Sequence, residues 1–188
     1  MKPFQNIMQS GQSASMACAF ALAAAPLLSG TALAVDKARY DYQGAAASCE
    51  AALPMYEANL RSRPLGLSNS GTATSFVTCN IMGSDPTGQR GAYQVQVNVA
   101  NNNTTSKQVA CTLVVVYRMS GETVDKTAYR TKTATLASNG GGFISWVPTD
   151  LTGTSGGPEI SKSGVTCTLP GKTTLQYTGN YYREDVGT

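Results

Sequence analysis

The sequence predicts an all-β fold, an antiparallel β-sandwich of about eight strands held by two disulfides. Three observations predict it. Short runs with a two-residue apolar period recur at intervals near ten residues, separated by Gly, Asn, Ser and Pro clusters. No segment after residue 34 carries a helical period of useful length. Four cysteines, Cys49, Cys79, Cys111 and Cys167, lie among those strands behind what reads as an export signal.

The strongest strand signal runs from Tyr93 to Tyr117. Tyr93, Val95, Val97 and Val99 share one face and Gln94, Gln96 and Asn98 the other, while Val109, Cys111, Leu113, Val115 and Tyr117 form a second apolar face. The link Asn101-Asn102-Asn103-Thr104-Thr105-Ser106 suits a turn between them, so a central hairpin is expected.

Residues 1–34 read as a secretory signal peptide. Lys2 supplies a thin positive end, Met16 to Leu28 is mostly apolar, and Ala32-Leu33-Ala34 offers a small-residue cleavage site. Met8 and Met16 are alternative starts, and Cys18 lies within the apolar run and is removed with it. The run is too short to span a bilayer, and no second one appears. Cleavage leaves 154 of the 188 residues, enough for one core.

In chain order, 35–48 is expected to be a flexible leader and 49–188 a single sandwich domain. Cys49 to Leu60 reads as irregular because Pro54 interrupts it, and Arg61 to Ser68 as an edge strand because Pro64 cannot donate to a ladder. Ser75 to Met82 is a strand with Val77, Cys79 and Ile81 on one face. Gly83 to Gly91 and Pro148 to Ser163 are long loops, and Ser120-Gly121-Glu122 is a turn. Thr127 to Leu136, Phe143 to Val147, Val165 to Leu169 and Thr173 to Tyr182 complete the strands, with Trp146 as a core anchor.

The words Val109-Ala110-Cys111-Thr112-Leu113 and Val165-Thr166-Cys167-Thr168-Leu169 agree at four of five positions. They suggest two inward cysteines in equivalent settings, bridging facing sheets. Of the three possible connectivities this favours Cys111–Cys167 with Cys49–Cys79, the others staying open.

Two resemblances add to this. The Asn-rich turn between Val-rich strands, followed by Leu136-Ala137-Ser138-Asn139-Gly140-Gly141-Gly142-Phe143-Ile144-Ser145-Trp146, resembles immunoglobulin-like β-sandwich domains of bacterial envelope proteins. Arg63-Pro64-Leu65, Phe76-Val77-Thr78-Cys79, Cys167-Thr168-Leu169-Pro170 and the ending Glu184-Asp185-Val186-Gly187-Thr188 resemble small exported bacterial proteins of uncharacterised function. The resemblance implies a shared fold and export to the periplasm or beyond, and brings no catalytic residue with it.

The chemistry is bounded mainly by what is missing. The chain has no histidine, the usual base for Ser or Cys nucleophiles and a frequent zinc ligand. No two cysteines sit at metal-ligand spacing, so neither a metal nor another cofactor is expected. Removing Lys2 from 14 Lys and Arg against 11 Asp and Glu leaves a net charge of about +2 without like-charged blocks. Neither nucleic acid nor an anionic membrane is implied. Glu184 and Asp185 are adjacent and would face opposite ways on a strand, which disqualifies them as a carboxylate pair.

What remains is recognition. If Leu175, Tyr177 and Tyr181 face inward, Tyr182 faces solvent, and Tyr40, Tyr42 and Tyr56 lie outside the clearest strands. With Asp150 and Arg90 in the two long loops, Tyr182 and Tyr56 are the candidate ligand-facing residues. Exposed rings beside amides suit sugar rings. The expected function is a non-enzymatic module that binds a protein or glycan through loops or a sheet face. An inhibitor of extracellular hydrolases comes second, a structural subunit of a surface assembly third and a carboxylate-only enzyme last.

Overall fold

A computed structural model of the chain describes residues 35–81, 91–117, 123–153, 159–160 and 162–186, the side chain of Asp185 excepted. The expected signal peptide at 1–34, Arg90 and the rest of 82–90, and the expected turn at Ser120-Gly121-Glu122 lie outside the described residues.

Among the described residues eleven strands form two antiparallel sheets. Six make the first: β1 (Asp36–Gly44), β3 (Leu60–Arg63), β4 (Gly66–Asn69), β6 (Ala92–Asn101), β9 (Gly141–Trp146) and β11 (Thr173–Asp185). Their order is β3-β4-β11-β6-β9, with β1 on the same edge of β11 as β4. The second sheet is β2 (Cys49–Ala51), β5 (Ser75–Ile81), β10 (Lys162–Leu169), β7 (Lys107–Tyr117) and β8 (Lys126–Leu136), in that order. Among the described residues helix is limited to short pieces, α1 (Ala45–Ser48), a 3-10 helix at Pro54–Asn59 and α2 (Thr149–Thr152). From β5 to β11 the chain changes sheet at every step but β7–β8, the winding of a jelly roll, a finer description than immunoglobulin-like layering.

The apolar alternation fills the space between the sheets. Val95, Val97 and Val99 from one layer meet Val109, Leu113 and Val115 from the other, all at most 1% exposed. Trp146 is fully buried and donates its indole N–H to the Arg130 carbonyl at 2.8 Å, so its polar edge is satisfied inside the core.

Four expectations change. First, β6 and β7 do not pair as a hairpin, because Asn101 ends β6 in one sheet and the link crosses to β7 in the other. Asn101 is 1% exposed: its side-chain oxygen accepts from the Asn103 N–H while its amide donates to the carbonyls of Thr105 and Ala137. Asn69 closes the β4–β5 crossing in the same way, accepting from Gly71 N–H and donating to Ala73 and Leu169 carbonyls. A buried asparagine thus replaces the backbone partners that a crossing chain loses.

Second, both predicted disulfides form, but within one sheet and not between sheets. Cys49 lies directly opposite Cys79 on β2 and β5, and Cys111 opposite Cys167 on β7 and β10, with Cα atoms 4.0 Å apart in each pair. Third, Arg61 to Ser68 is the β3–β4 hairpin, turning at Pro64-Leu65, where a missing N–H costs no ladder bond. Fourth, the expected leader at 35–48 is β1 and α1. Nine residues of β1 pair with β11 from Asp36↔Asp185 to Gly44↔Tyr177. It lacks an apolar period because neither of its sides enters the aliphatic core.

Candidate functional site

The outward side of the six-stranded sheet gathers five tyrosines. Their placement starts at Gln176, where the β6–β11 register shifts between Leu175 and Tyr177. Such a bulge sets two successive residues on one side of the sheet. Leu175 is fully buried, yet beyond the bulge it is Thr178 and Asn180 that turn inward, each 1% exposed. Tyr177, Gly179 and Tyr181 consequently face outward.

Tyr40 and Tyr42 of β1 point the same way, since Tyr40 pairs with Tyr181 and Tyr42 with Gly179. The rings meet edge to face: Tyr40–Tyr181 at 4.8 Å, Tyr42–Tyr177 at 5.3 Å and Tyr42–Tyr181 at 6.0 Å between centroids. Tyr93, expected on the Val95 side, joins at 6.1 Å from Tyr181, because a second register shift leaves it as the extra residue of β6 between Ala92 and Gln94. Gly179 makes room for this. A Cβ there would lie 2.6 Å from the Tyr42 ring. Edge-to-face packing fixes the rings against one another while leaving Tyr40 and Tyr42 more than half exposed.

The hydroxyls of Tyr42 and Tyr181 hydrogen-bond at 2.7 Å. That bond, then burial, then the neighbouring phenols push the Tyr42 pKa up to about 12. Tyr42 is therefore uncharged at physiological pH, its hydroxyl able both to donate and to accept. Beside it on β6 lie Gln94 opposite Tyr181 and Asn98 opposite Tyr177, both half-buried, with Gln96 opposite Gly179 buried between them. Ser145 and Phe143 of β9 follow opposite Gln96 and Asn98, Phe143 being 64% exposed. The whole is a band of rings and amides that can bury the apolar face of a polyol and bond its hydroxyls.

Beyond the bulge the same side sinks into a depression of about 380 Å³ under the β3–β4 turn, lined by Arg63, Leu65, Ser68, Asn102, Thr174 and Gln176. A second depression, about 540 Å³, lies by the Cys49–Cys79 bridge and has Glu50 as its one lining carboxyl among the described residues. Among the described residues no three His, Cys, Asp or Glu side chains converge as metal ligands.

The four sequence candidates are not brought together. Tyr182 is half-buried on the opposite side of β11 from the tyrosine cluster, paired with Arg39, because the bulge reverses the parity assumed for it. Tyr56 leans on Phe76, ring centroids 5.3 Å apart, and packs against the core. Arg90 lies outside the described residues.

Asp150 is a structural anchor. It accepts from Lys132 Nζ and from the Val147 N–H, both at 2.8 Å, while Arg130 donates to the carbonyls of Asp150 and Leu151. Burial alone would raise its pKa, but the two hydrogen bonds and the Lys132 and Arg130 charges together hold it below the ordinary value. A carboxylate so lowered adds stability above its unfolded pKa, and loses it as pH falls through the folded one. Asp150→Asn should cost about 1 kcal/mol at neutral pH, and denaturation midpoints of variant and parent should converge in acid. A gap that stays constant with pH would contradict this role.

Sequence reasoning pointed to Tyr40 and Tyr42 but missed Tyr93, Tyr177 and Tyr181. The spacing Tyr177-x-Gly179-x-Tyr181, ring–glycine–ring on one side, was the available signal.

No protein-family model matches the sequence, and none of the curated proteins matches it. Among solved structures, a family 11 carbohydrate-binding module from Clostridium thermocellum, in complex with a β-1,3-1,4-mixed-linked tetrasaccharide, covers 79% of this chain and 86% of its own. Its TM-score is 0.31 at 8% identity. A family 28 carbohydrate-binding module specific for non-crystalline cellulose covers 67% and 77%, with TM-score 0.30 and 7% identity. A family 4 carbohydrate-binding module covers 79% and 84%, with TM-score 0.29 and 12% identity.

Proposed function

We propose that this chain is an exported, non-catalytic module that holds a glycan across the outward side of its six-stranded sheet. The observation that carries the reading is the band of five tyrosine rings set beside the amides of Gln94 and Asn98. Rings bury the C–H faces of a sugar, and side-chain amides, which both donate and accept, match its hydroxyls. The scaffold suits the task, since strand pairing on both edges of β11 and the ring-to-ring contacts hold the rings in place before any ligand arrives and so lower the ordering cost of binding. Oxidised cysteines and the signal-like residues 1–34 support export.

Affinity electrophoresis and calorimetry against a panel of soluble polysaccharides test it. Tyr42→Ala and Tyr177→Ala should each weaken binding about tenfold, the size of a lost stacking contact of 1–1.5 kcal/mol, whereas Tyr56→Ala should not. Retention by no polysaccharide, or retention indifferent to the tyrosine variants, would remove the reading.

A further inference from the structure

The tyrosine band is neutral, but the side of the sheet that carries it is not. We infer that the glycan is acidic and that Arg63, in the depression under the β3–β4 turn, takes the carboxylate of a uronic sugar; this rests on the glycan reading above. The depression continues the tyrosine band. Gln176 lines it and Tyr177, the next residue, belongs to the cluster. An extended ligand crossing the rings along β11 therefore arrives there.

Its chemistry is that of a carboxylate subsite. Arg63 is exposed on the lining, and among the described residues its guanidinium makes no hydrogen bond or ion pair. Among the described residues no acid lines the depression. A planar guanidinium held at the edge of a cavity binds a carboxylate through two parallel N–H···O bonds, a match that a neutral sugar lacks. Beside it the Asn102 amide donates to the Thr174 hydroxyl at 3.1 Å, and the Thr174 and Ser68 hydroxyls share a bond at 2.9 Å. These groups are prearranged to meet ring hydroxyls, while Leu65, 75% exposed on the lip, offers apolar cover.

The rest of this side carries further arginines together with Asp36. Arg61 lies two residues before Arg63 on β3, its guanidinium donating to the Glu57 and Leu60 carbonyls and so keeping its charge unpaired by a carboxylate there. At the other end Arg183 is exposed opposite Ala38, on the Tyr181 side. The outward residues of β6 and β9 between them are amides, Ser145 and Phe143, with no acid. At the Arg183 end Asp36 shares this side, two residues before Ala38, so the cation that a polyanion meets beside the neutral band is Arg63.

The test uses a polyuronate, such as polygalacturonate or alginate, and the same polymer with its carboxyls reduced to alcohols. The parent protein should bind the polyuronate at least tenfold tighter than the reduced polymer, and the preference should weaken between 50 and 300 mM NaCl as charge pairs are screened. Arg63→Gln should abolish the preference, keep binding to the reduced polymer and leave the melting temperature unchanged. Tyr177→Ala should weaken binding to both. Equal affinity for the two polymers, or a preference indifferent to Arg63→Gln, would overturn the inference and leave the glycan reading standing. If neither these polymers nor the neutral panel binds, the glycan reading itself falls. Binding of an unrelated sulfated polymer as tightly as the polyuronate would also overturn the inference, reducing Arg63 to a general anion site.

Discussion

Replacing Cys111 and Cys167 together by alanine should cost about 4 kcal/mol of stability, and replacing Cys49 and Cys79 about 0.5 kcal/mol less. The difference follows from loop closure, because the first bridge spans 56 residues and the second 30. Position reinforces it. Cys111 and Cys167 are fully buried on the inner strands of their sheet, so losing two sulfur atoms also leaves a void under β7 and β10. Cys49 sits on β2, a three-residue edge strand with little else to hold it. Removing that bridge should free β2 and the adjoining α1 locally, seen as faster amide exchange at Cys49–Ala51 with β7 and β10 still protected. Denaturant titration of both double variants gives the order of stabilities. If the Cys49–Cys79 variant proves the weaker protein, loop closure is not what these bridges mainly supply.

The sequence was most legible where the two-residue period is strict. Val95 to Val99 and Val109 to Val115 alternate without interruption, and the structure buries the predicted face of each. The cysteine pairing was legible from two matching words, because equivalent strand settings place Cys111 and Cys167 in register. Their lateral, single-sheet placement was not, since alternation tells which face a residue takes and not which sheet its strand joins. The same limit produced the expected β6–β7 hairpin. A polar link between two strong strands reads identically whether it folds back or crosses over, and only the buried Asn101, a role shared by Asn69, distinguishes them.

The site was hidden for a different reason. Counting by twos along β11 assumes no extra residue, and Gln176 is one. A single bulge exchanges inside for outside over the rest of the strand, turning Tyr177 and Tyr181 outward and sending Thr178 and Asn180 into the interior. β1 was missed because its outward ring positions, Tyr40 and Tyr42, alternate with Arg39, Asp41 and Gln43, so no apolar stripe announces it. Its partner is the most distant segment of the chain, and pairing energy from that distance leaves no local trace.

Gly66→Ala tests how far the two halves of the outward side depend on one backbone approach. β4 gives way to β1 along β11 at Gln176, and the chain enters β4 at Gly66 with φ of 132°, in a region that side chains rarely adopt. A Cβ there would stand 2.1 Å from the Leu175 carbonyl oxygen and 2.7 Å from the Gln176 Cα, so backbone and not a flexible side chain must give way. Unfavourable φ and overpacking together set the cost at about 3 kcal/mol. Gly44→Ala is the control, since Gly44 has φ of −62° and nothing within 4 Å of its Cβ position; it should leave the denaturation midpoint nearly unchanged. The displaced hairpin carries Arg63 and Leu65, while Tyr40, Tyr42 and Tyr181 pair farther along β11. Gly66→Ala protein that remains folded should therefore lose its preference for the polyuronate and retain affinity for the reduced polymer. Loss of both would mean that the β3–β4 hairpin holds the tyrosine band as well as the depression, and that the two are one site mechanically as well as chemically.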